Sequence, residues 1–144
     1  MLFKMSKVAV VYWSGTGNTE AMASAVADGA KGKGAEVSVL TAAEFSPDLV
    51  EKYDAIAFGC PSMGTEQVEE SEFEPMFSDR EGKLKGKNIA LFGSYGWGDG
   101  EWMRTWESRC DDDGANRVCD SVICNDAPDD VALAECNALG AALA

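Results

Sequence analysis

The sequence contains no histidine, and this absence excludes several kinds of catalytic site. Ser–His and Cys–His catalytic pairs and histidine-ligated metal sites all need an imidazole. Basic residues are also few: 12 Lys and Arg stand against 25 Asp and Glu, so the net charge is −13. Nucleic acids and anionic membranes bind basic surfaces, so neither is expected as a partner. A protein with a basic patch is the natural complement.

Long apolar runs and cysteine pairs are missing as well. No run approaches the roughly 20 apolar residues of a transmembrane helix, and the apolar part of residues 1–7 is too short for a signal peptide. The five cysteines are odd in number and include no Cys-x-x-Cys pair, which predicts reduced thiols that serve as small apolar side chains. We therefore expect a cytoplasmic protein that forms one domain over residues 1–144.

Apolar strands alternate with helical segments along the whole chain. A helical segment follows each predicted strand, and the strands are expected at residues 8–12, 36–41, 54–60, 88–94 and 117–125. This alternation predicts an α/β fold, with a five-stranded parallel sheet and helices on both faces. Ligands of such folds bind beyond the carboxyl ends of the strands.

The turn Ser14-Gly15-Thr16-Gly17-Asn18-Thr19 joins the first strand to the first helix. It offers three hydroxyls, one amide and two glycines at a helix N-terminus, with no Lys or Arg, which favours a phosphate held by hydrogen bonds. A P-loop would need Lys in place of Asn18, and a Rossmann turn would need Gly in place of Glu20. An ordinary glycine-rich turn is the alternative.

Two further loops, residues 61–67 and 95–100, leave the same edge of the sheet. They would be neighbours of the first turn if the strand order is 2-1-3-4-5. Met63 and Trp97 are large apolar residues in these loops, a pattern typical of stacking faces on a flat ring. The alternative is that both side chains only shield the edge of the sheet from water.

These segments resemble short-chain, clostridial-type flavodoxins. The resemblance rests on Ser14 to Thr19, Met63-Gly64, the run Glu69 to Pro75, and the run Gly93-Ser94-Tyr95-Gly96-Trp97-Gly98-Asp99-Gly100-Glu101-Trp102-Met103. It implies strand order 2-1-3-4-5 with FMN at the switch point. It also implies a low-potential one-electron carrier, a monomer without substrate turnover of its own, that shuttles between semiquinone and hydroquinone and docks on redox enzymes.

The resemblance assigns a role to each motif residue. The phosphate would be held by Ser14, Thr16, Asn18 and Thr19, with Gly15 and Gly17 in the same turn. The flavin ring would lie between Met63 and Trp97, with its N3–H on Glu66 and its N5 facing the Gly64 carbonyl. Pro61 stands where some relatives have a phosphate-binding serine, and Ser62 is its candidate substitute. The other expected cofactor contacts are Thr65, Ser94, Tyr95, Gly96, Gly98 and Asp99. No metal ligand is expected.

Acidic residues are expected around the ring, and a turn is expected to switch beside it. The predicted acidic rim consists of Glu66, Glu69, Glu70, Glu72, Asp99 and Glu101. The resemblance further implies a peptide flip after Gly64. A type II turn would place positive φ at Thr65, which a β-branched residue disfavours, whereas a type II′ turn would require positive φ only at Gly64.

Two other functions use related folds. An NAD(P)H:quinone reductase would need a further basic or aromatic pocket for the nicotinamide, and no insertion supplies one. A phospho-acceptor receiver domain would need an acidic pair after the first strand and an aspartate after the third. Ser14 and Pro61 stand at those places.

Overall fold

The computed structural model describes residues 6–63 and 68–144 of the chain. Strands and helices alternate through these residues as predicted. In chain order the elements are β1 (Lys7–Tyr12), α1 (Asn18–Gly32), β2 (Glu36–Thr41), β3 (Ala55–Gly59), α2 (Phe73–Arg80), β4 (Asn88–Tyr95), α3 (Glu101–Asp112), β5 (Asn116–Arg117), β6 (Val122–Asn125) and α4 (Asp130–Leu143). Short 3-10 helices span Ala42–Glu44, Pro47–Lys52 and Glu81–Lys83.

All strand pairings are parallel, and the order is β2-β1-β3-β4-β5. In the middle of the sheet Val10 lies opposite Val39 on one side and Ala57 on the other, and Ala57 lies opposite Ala90. This order confirms the predicted topology. It brings the carboxyl ends of β1, β3 and β4 to one edge, where the three unusual loops emerge.

The predicted fifth strand, residues 117–125, is interrupted. Arg117 pairs with Ile89 and Val122 with Phe92, so β5 and β6 span five residue steps while β4 spans three. The two extra residues form a bulge. Side chains at both ends of the bulge bond to α3: Arg117 binds Glu107 and Asp111, and the Ser121 hydroxyl donates to Glu107 at 2.6 Å.

Each face of the sheet packs against two helices. Val8 and Val10 point towards α1 and α4, while Ala9 and Val11 point towards the side of α2 and α3, as the alternation of a strand requires. The α2–α3 side contains most of the large aromatic residues: Phe45, Phe58, Phe73, Phe77, Trp102 and Trp106. The α1–α4 side is built mainly from Ala, Val and Leu, together with Met22, Cys136 and Phe92.

Helices α1 and α4 touch through their backbones. A Cβ atom added to Gly29 would lie 1.9 Å from the Asn137 carbonyl oxygen, and one added to Gly140 would lie 1.9 Å from the Val26 carbonyl oxygen. Only glycine permits this approach at either position. The contact fixes α1, and therefore its N-terminus, relative to the rest of the fold.

The structure bears on the state of the cysteines and on the length of the apolar helices. All five cysteines are free, as predicted. Across residues 6–63 and 68–144, none of the helices has the length and apolar character needed to cross a bilayer.

Candidate functional site

The Ser14 side chain stabilises the turn after β1. The Ser14 hydroxyl oxygen accepts the backbone N–H of Gly17 at 3.0 Å and that of Glu20 at 3.3 Å. Gly17 has φ 95° and precedes α1, which begins at Asn18. Because the Ser14 oxygen only accepts in these bonds, its own O–H remains able to donate to an anion.

Thr19 is the clearest sign of a missing polar partner in this turn. Its side chain is 1% exposed, and its Oγ1 bonds to no other atom of the described residues. A buried hydroxyl without a partner costs free energy, so native proteins provide one. Together with the amides of the α1 N-terminus, this hydroxyl fits a phosphate group.

The loop after β3 begins as a continuation of the sheet. The Ser62 backbone N–H donates to the Ser94 carbonyl at 3.0 Å, and the buried Ser62 Oγ has no hydrogen-bond partner within the described ranges. Met63 is 40% exposed at the end of this segment. Predicted contacts at Gly64, Thr65 and Glu66, and with them the predicted flipping turn, lie outside the described residues.

The loop after β4 is held by its glycines and by Arg104. Gly98 and Gly100 have φ 84° and 92°, so both occupy a backbone region that glycine favours. Asp99 accepts two hydrogen bonds from Arg104, one to its carboxylate at 3.0 Å and one to its carbonyl at 3.1 Å. Trp97 projects from this loop with 56% of its surface exposed.

The three loops meet around one cavity of about 180 Å³. Nine predicted cofactor contacts line it: Gly15, Thr16, Asn18, Pro61, Ser62, Met63, Ser94, Tyr95 and Gly96. Six other predicted contacts do not line it: Ser14, Gly17, Thr19, Trp97, Gly98 and Asp99. Wider grooves of about 630 and 750 Å³ lie on α3 and between α1 and α4, but no residue of the three loops lines them.

Two lining residues were not predicted from the sequence. Trp13 directly follows β1, donates its backbone N–H to Gly59 at 3.0 Å, and packs so closely that a Cβ on Gly15 would lie 3.0 Å from its ring. Asp126 follows β6 with φ 57°, and its backbone N–H donates to the Tyr95 carbonyl at 2.8 Å. The pair Asn125-Asp126 after a strand was the available signal, because Asp tolerates positive φ.

The acidic rim is only partly as predicted. Glu69 is 5% exposed, and its carboxylate is turned towards the start of α2 rather than into solvent. Burial raises the pKa of the Glu69 carboxyl, but hydrogen bonds from the Ser71 hydroxyl and the Phe73, Glu72 and Ser71 amides outweigh burial and hold the pKa below its usual range. The pairing of Asp99 with Arg104 was also missed, because the arginine lies on the helix and not in the loop.

The strand order and the cavity at the ends of β1, β3 and β4 define a doubly wound α/β protein with a cavity at the switch point of its sheet, where proteins of this fold bind their ligands. Residues 10–140 match the family model described as Flavodoxin. The flavodoxin of Megasphaera elsdenii is 49% identical over 137 residues, which cover 95% of this chain and 98% of that protein. The flavodoxin of Clostridium beijerinckii is 45% identical over 84% of this chain and 88% of its own length.

A solved structure agrees with these sequence matches. The solution structure of two-electron reduced Megasphaera elsdenii flavodoxin superposes with a TM-score of 0.88 at 48% identity, covering 94% of this chain and 97% of that one. The chain therefore belongs to the flavodoxin family, whose cofactor is FMN. The buried hydroxyls of Thr19 and Ser62 and the glycine-rich cavity fit that cofactor.

Proposed function

We propose that this protein is a low-potential one-electron carrier that holds FMN at the three-loop cavity and passes electrons between redox enzymes. The observation that carries the proposal is the meeting of two orphaned buried hydroxyls, Thr19 and Ser62, with glycine-rich loops at one edge of the sheet. Bound FMN would supply the chemistry, since its ring system accepts and releases electrons singly.

The cavity divides into two ends by its chemistry. The turn 14–19 and the N-terminus of α1 would hold the phosphate through hydroxyl and amide donors, with Ser62 adjacent. Met63 and Trp97, the exposed apolar residues of their loops, would cover the two faces of the ring. Ser94, Tyr95 and Gly96 would line the ribityl and pyrimidine side of the cofactor, and Pro61 lines the same cavity. The other residues of the proposed site are Gly64, Thr65, Glu66, Gly98 and Asp99.

The charge of the chain would lower the potential of the bound flavin. One carboxylate about 10 Å from an added negative charge opposes it by ~0.4 kcal/mol in water, or ~1.7 kcal/mol at an effective dielectric constant of 20. Several carboxylates near the rim would therefore add up to a large effect. The same charge, −13 in total, would guide the protein to partners with basic docking patches.

Electron transfer from the reduced FMN-loaded protein tests this proposal. A basic acceptor such as cytochrome c should be reduced several-fold more slowly when ionic strength rises from about 0.01 M to about 0.1 M, because the Debye length falls from about 30 Å to about 10 Å. Anionic ferricyanide is the matched control, and its reduction should accelerate over the same range.

Two results would contradict the proposal. Equal salt dependence for both acceptors would remove the electrostatic docking surface. Steady oxidation of NAD(P)H with a quinone, by the purified protein alone, would make it a flavin enzyme and not a carrier.

A further inference from the structure

Cys60 lies at the root of the loop that carries Met63, and it is hydrogen-bonded on two sides. The Trp102 indole N–H donates to the Cys60 carbonyl at 3.2 Å, and the Glu69 backbone N–H donates to the Cys60 sulfur at 3.2 Å. Cys60 is 0% exposed and Trp102 is 1% exposed. The chain before residue 61 and the chain after residue 68 therefore meet at the Cys60 side chain.

Glu69 connects Cys60 to helix α2. Its carboxylate accepts the backbone N–H groups of Ser71, Glu72 and Phe73 at 2.8 Å each, and also the Ser71 hydroxyl. These amides belong to the start of α2, where free N–H groups and the helix dipole favour a negative charge. The backbone of Glu69 is thus tied to Cys60 while its side chain caps the helix.

Trp102 connects Cys60 to the third loop. Trp102 is the second residue of α3, directly after the loop 95–100, and its ring lies 5.5 Å from that of Tyr95. Its position is closely fitted, because a Cβ on Gly93 would lie 3.2 Å from the indole and 2.1 Å from the Cys60 carbonyl oxygen. The indole N–H therefore joins the loop after β3 to the helix that follows the loop after β4.

We propose that Cys60, Glu69 and Trp102 form a positioning cluster that fixes the 61–68 loop against the flavin ring. This inference rests on the proposed function, because it concerns the same site. The described residues that line the cavity do not include any of the three, so the cluster acts through the loop and not by contact. Its expected signature is a loss of affinity for the ring part of the cofactor that is independent of the phosphate.

Cys60→Ala is the decisive variant because it changes no charge: burial raises the pKa of the Cys60 thiol, which stays neutral. We expect the dissociation constants of FMN and of riboflavin to rise by the same factor, about 5- to 10-fold, as for the loss of one buried hydrogen bond. Cys60→Ser should recover part of this loss, because a hydroxyl oxygen can also accept the Glu69 N–H.

Cys110→Ala is the matched control. Cys110 is equally buried in the same core and lies on α3, but it is not part of the cluster. It should lower the stability of the protein while both flavin dissociation constants stay within about 2-fold of the wild type. In the apoprotein, the Glu69 amide should exchange its hydrogen faster in Cys60→Ala than in Cys110→Ala.

A second pair of variants tests Glu69. Glu69→Gln and Glu70→Gln remove the same charge at adjacent positions, one buried and one exposed. Glu69→Gln should weaken riboflavin binding more than Glu70→Gln does. It should also speed hydrogen exchange of the backbone amides of residues 71–73, because the side-chain NH2 of the new glutamine cannot accept hydrogen bonds from them.

The outcomes separate this inference from the proposed function. If Cys60→Ala and Cys110→Ala bind both flavins alike, or if Cys60→Ala weakens FMN alone, the positioning cluster is wrong even though the wild type binds FMN. If the wild type does not bind FMN, the proposed function fails first. Should Glu69→Gln not fold, the cysteine series decides alone.

Discussion

The two faces of the sheet are packed by different means, and each supports a different end of the site. On the α1–α4 face, Gly29 and Gly140 bring two helix backbones into contact. On the α2–α3 face, aromatic rings interlock and Arg109 bridges Glu74 and Glu81. The first face positions α1, which follows the turn proposed to hold the phosphate, and the second contains Trp102 of the proposed positioning cluster together with α2, whose first amides Glu69 caps.

The two ends of the candidate site are therefore sensitive to opposite changes in side-chain volume. In a close-packed interior both the removal and the addition of side-chain volume lower stability. Which of the two is more damaging depends on whether side chains or backbone atoms make the contact. The α2–α3 face, which is packed by aromatic rings, should lose most stability when a ring is removed. The α1–α4 face, where two helix backbones touch, should lose most when a methyl group is added.

The largest effect is expected from Phe77→Ala. The Phe77 ring lies 5.2 Å from that of Phe58, 6.1 Å from that of Phe73 and 5.8 Å from that of Trp106, and the Arg109 guanidinium lies 4.9 Å above it. Removing it should lower the free energy of unfolding by about 3–5 kcal/mol, measured by urea denaturation of the apoprotein. A loss below about 1 kcal/mol would mean that this face is not held by its rings.

Gly29→Ala should be the next most damaging change. The added methyl group would meet the Asn137 backbone and force α1 away from α4, at a cost of about 1–3 kcal/mol. Gly32→Ala is the control in the same helix, because nothing lies within 4 Å of a Cβ there. It should stabilise the protein by about 0.5–1 kcal/mol, since Ala is the better helix former. Equal effects at the two positions would contradict the backbone contact.

The strands of the sheet and the positions of the three loops could be predicted from the sequence, because both follow from local patterns. The buried strand Val8 to Val11 and the turn after it are contiguous in the chain, so apolar runs and glycines reveal them. The resemblance to flavodoxins supplied the strand order.

Features that depend on how a loop meets the element beside it could not be predicted in this way. The Arg104–Asp99 pair was missed because the arginine lies on α3 and not in the loop. The inward turn of Glu69 was missed because it depends on the amides at the start of α2. The break between β5 and β6 depends on bonds from Arg117 and Ser121 to another helix. Asp126 reaches the cavity only through the pairing of β6 with β4.

The smallest expected effect concerns Asp113, at the end of α3 beside the Arg109 network. Burial raises the pKa of Asp113 to about 6, with further contributions from Glu81, which shares a hydrogen bond with it, and from Asp112, against the opposing effect of Arg109. A carboxyl whose pKa is raised on folding favours the folded state when protonated. The contribution of Asp113 to stability should therefore fall as pH rises from about 4 to about 6 and stay level above that range.

Asp113→Asn should remove this contribution. Urea denaturation at several pH values should show a higher free energy of unfolding at pH 7 and a flatter dependence between pH 4 and 6 than in the wild type. The exposed neighbour provides a control: Asp112 contributes least among the groups that shift the pKa of Asp113, so Asp112→Asn should change the slope much less than Asp113→Asn does. If both variants keep that slope, Asp113 does not titrate in this range.

Titration of the apoprotein with FMN and with riboflavin is the most direct test of whether the turn 14–19 holds the phosphate of FMN by hydrogen bonds. The wild type should bind FMN at least about 100-fold more tightly than riboflavin. Thr19→Val, which removes the orphaned hydroxyl at nearly constant volume, should weaken FMN binding by about 10-fold or more and leave riboflavin binding unchanged. Similar affinities of the wild type for the two flavins, or an equal loss for both in Thr19→Val, would rule out phosphate binding by this turn.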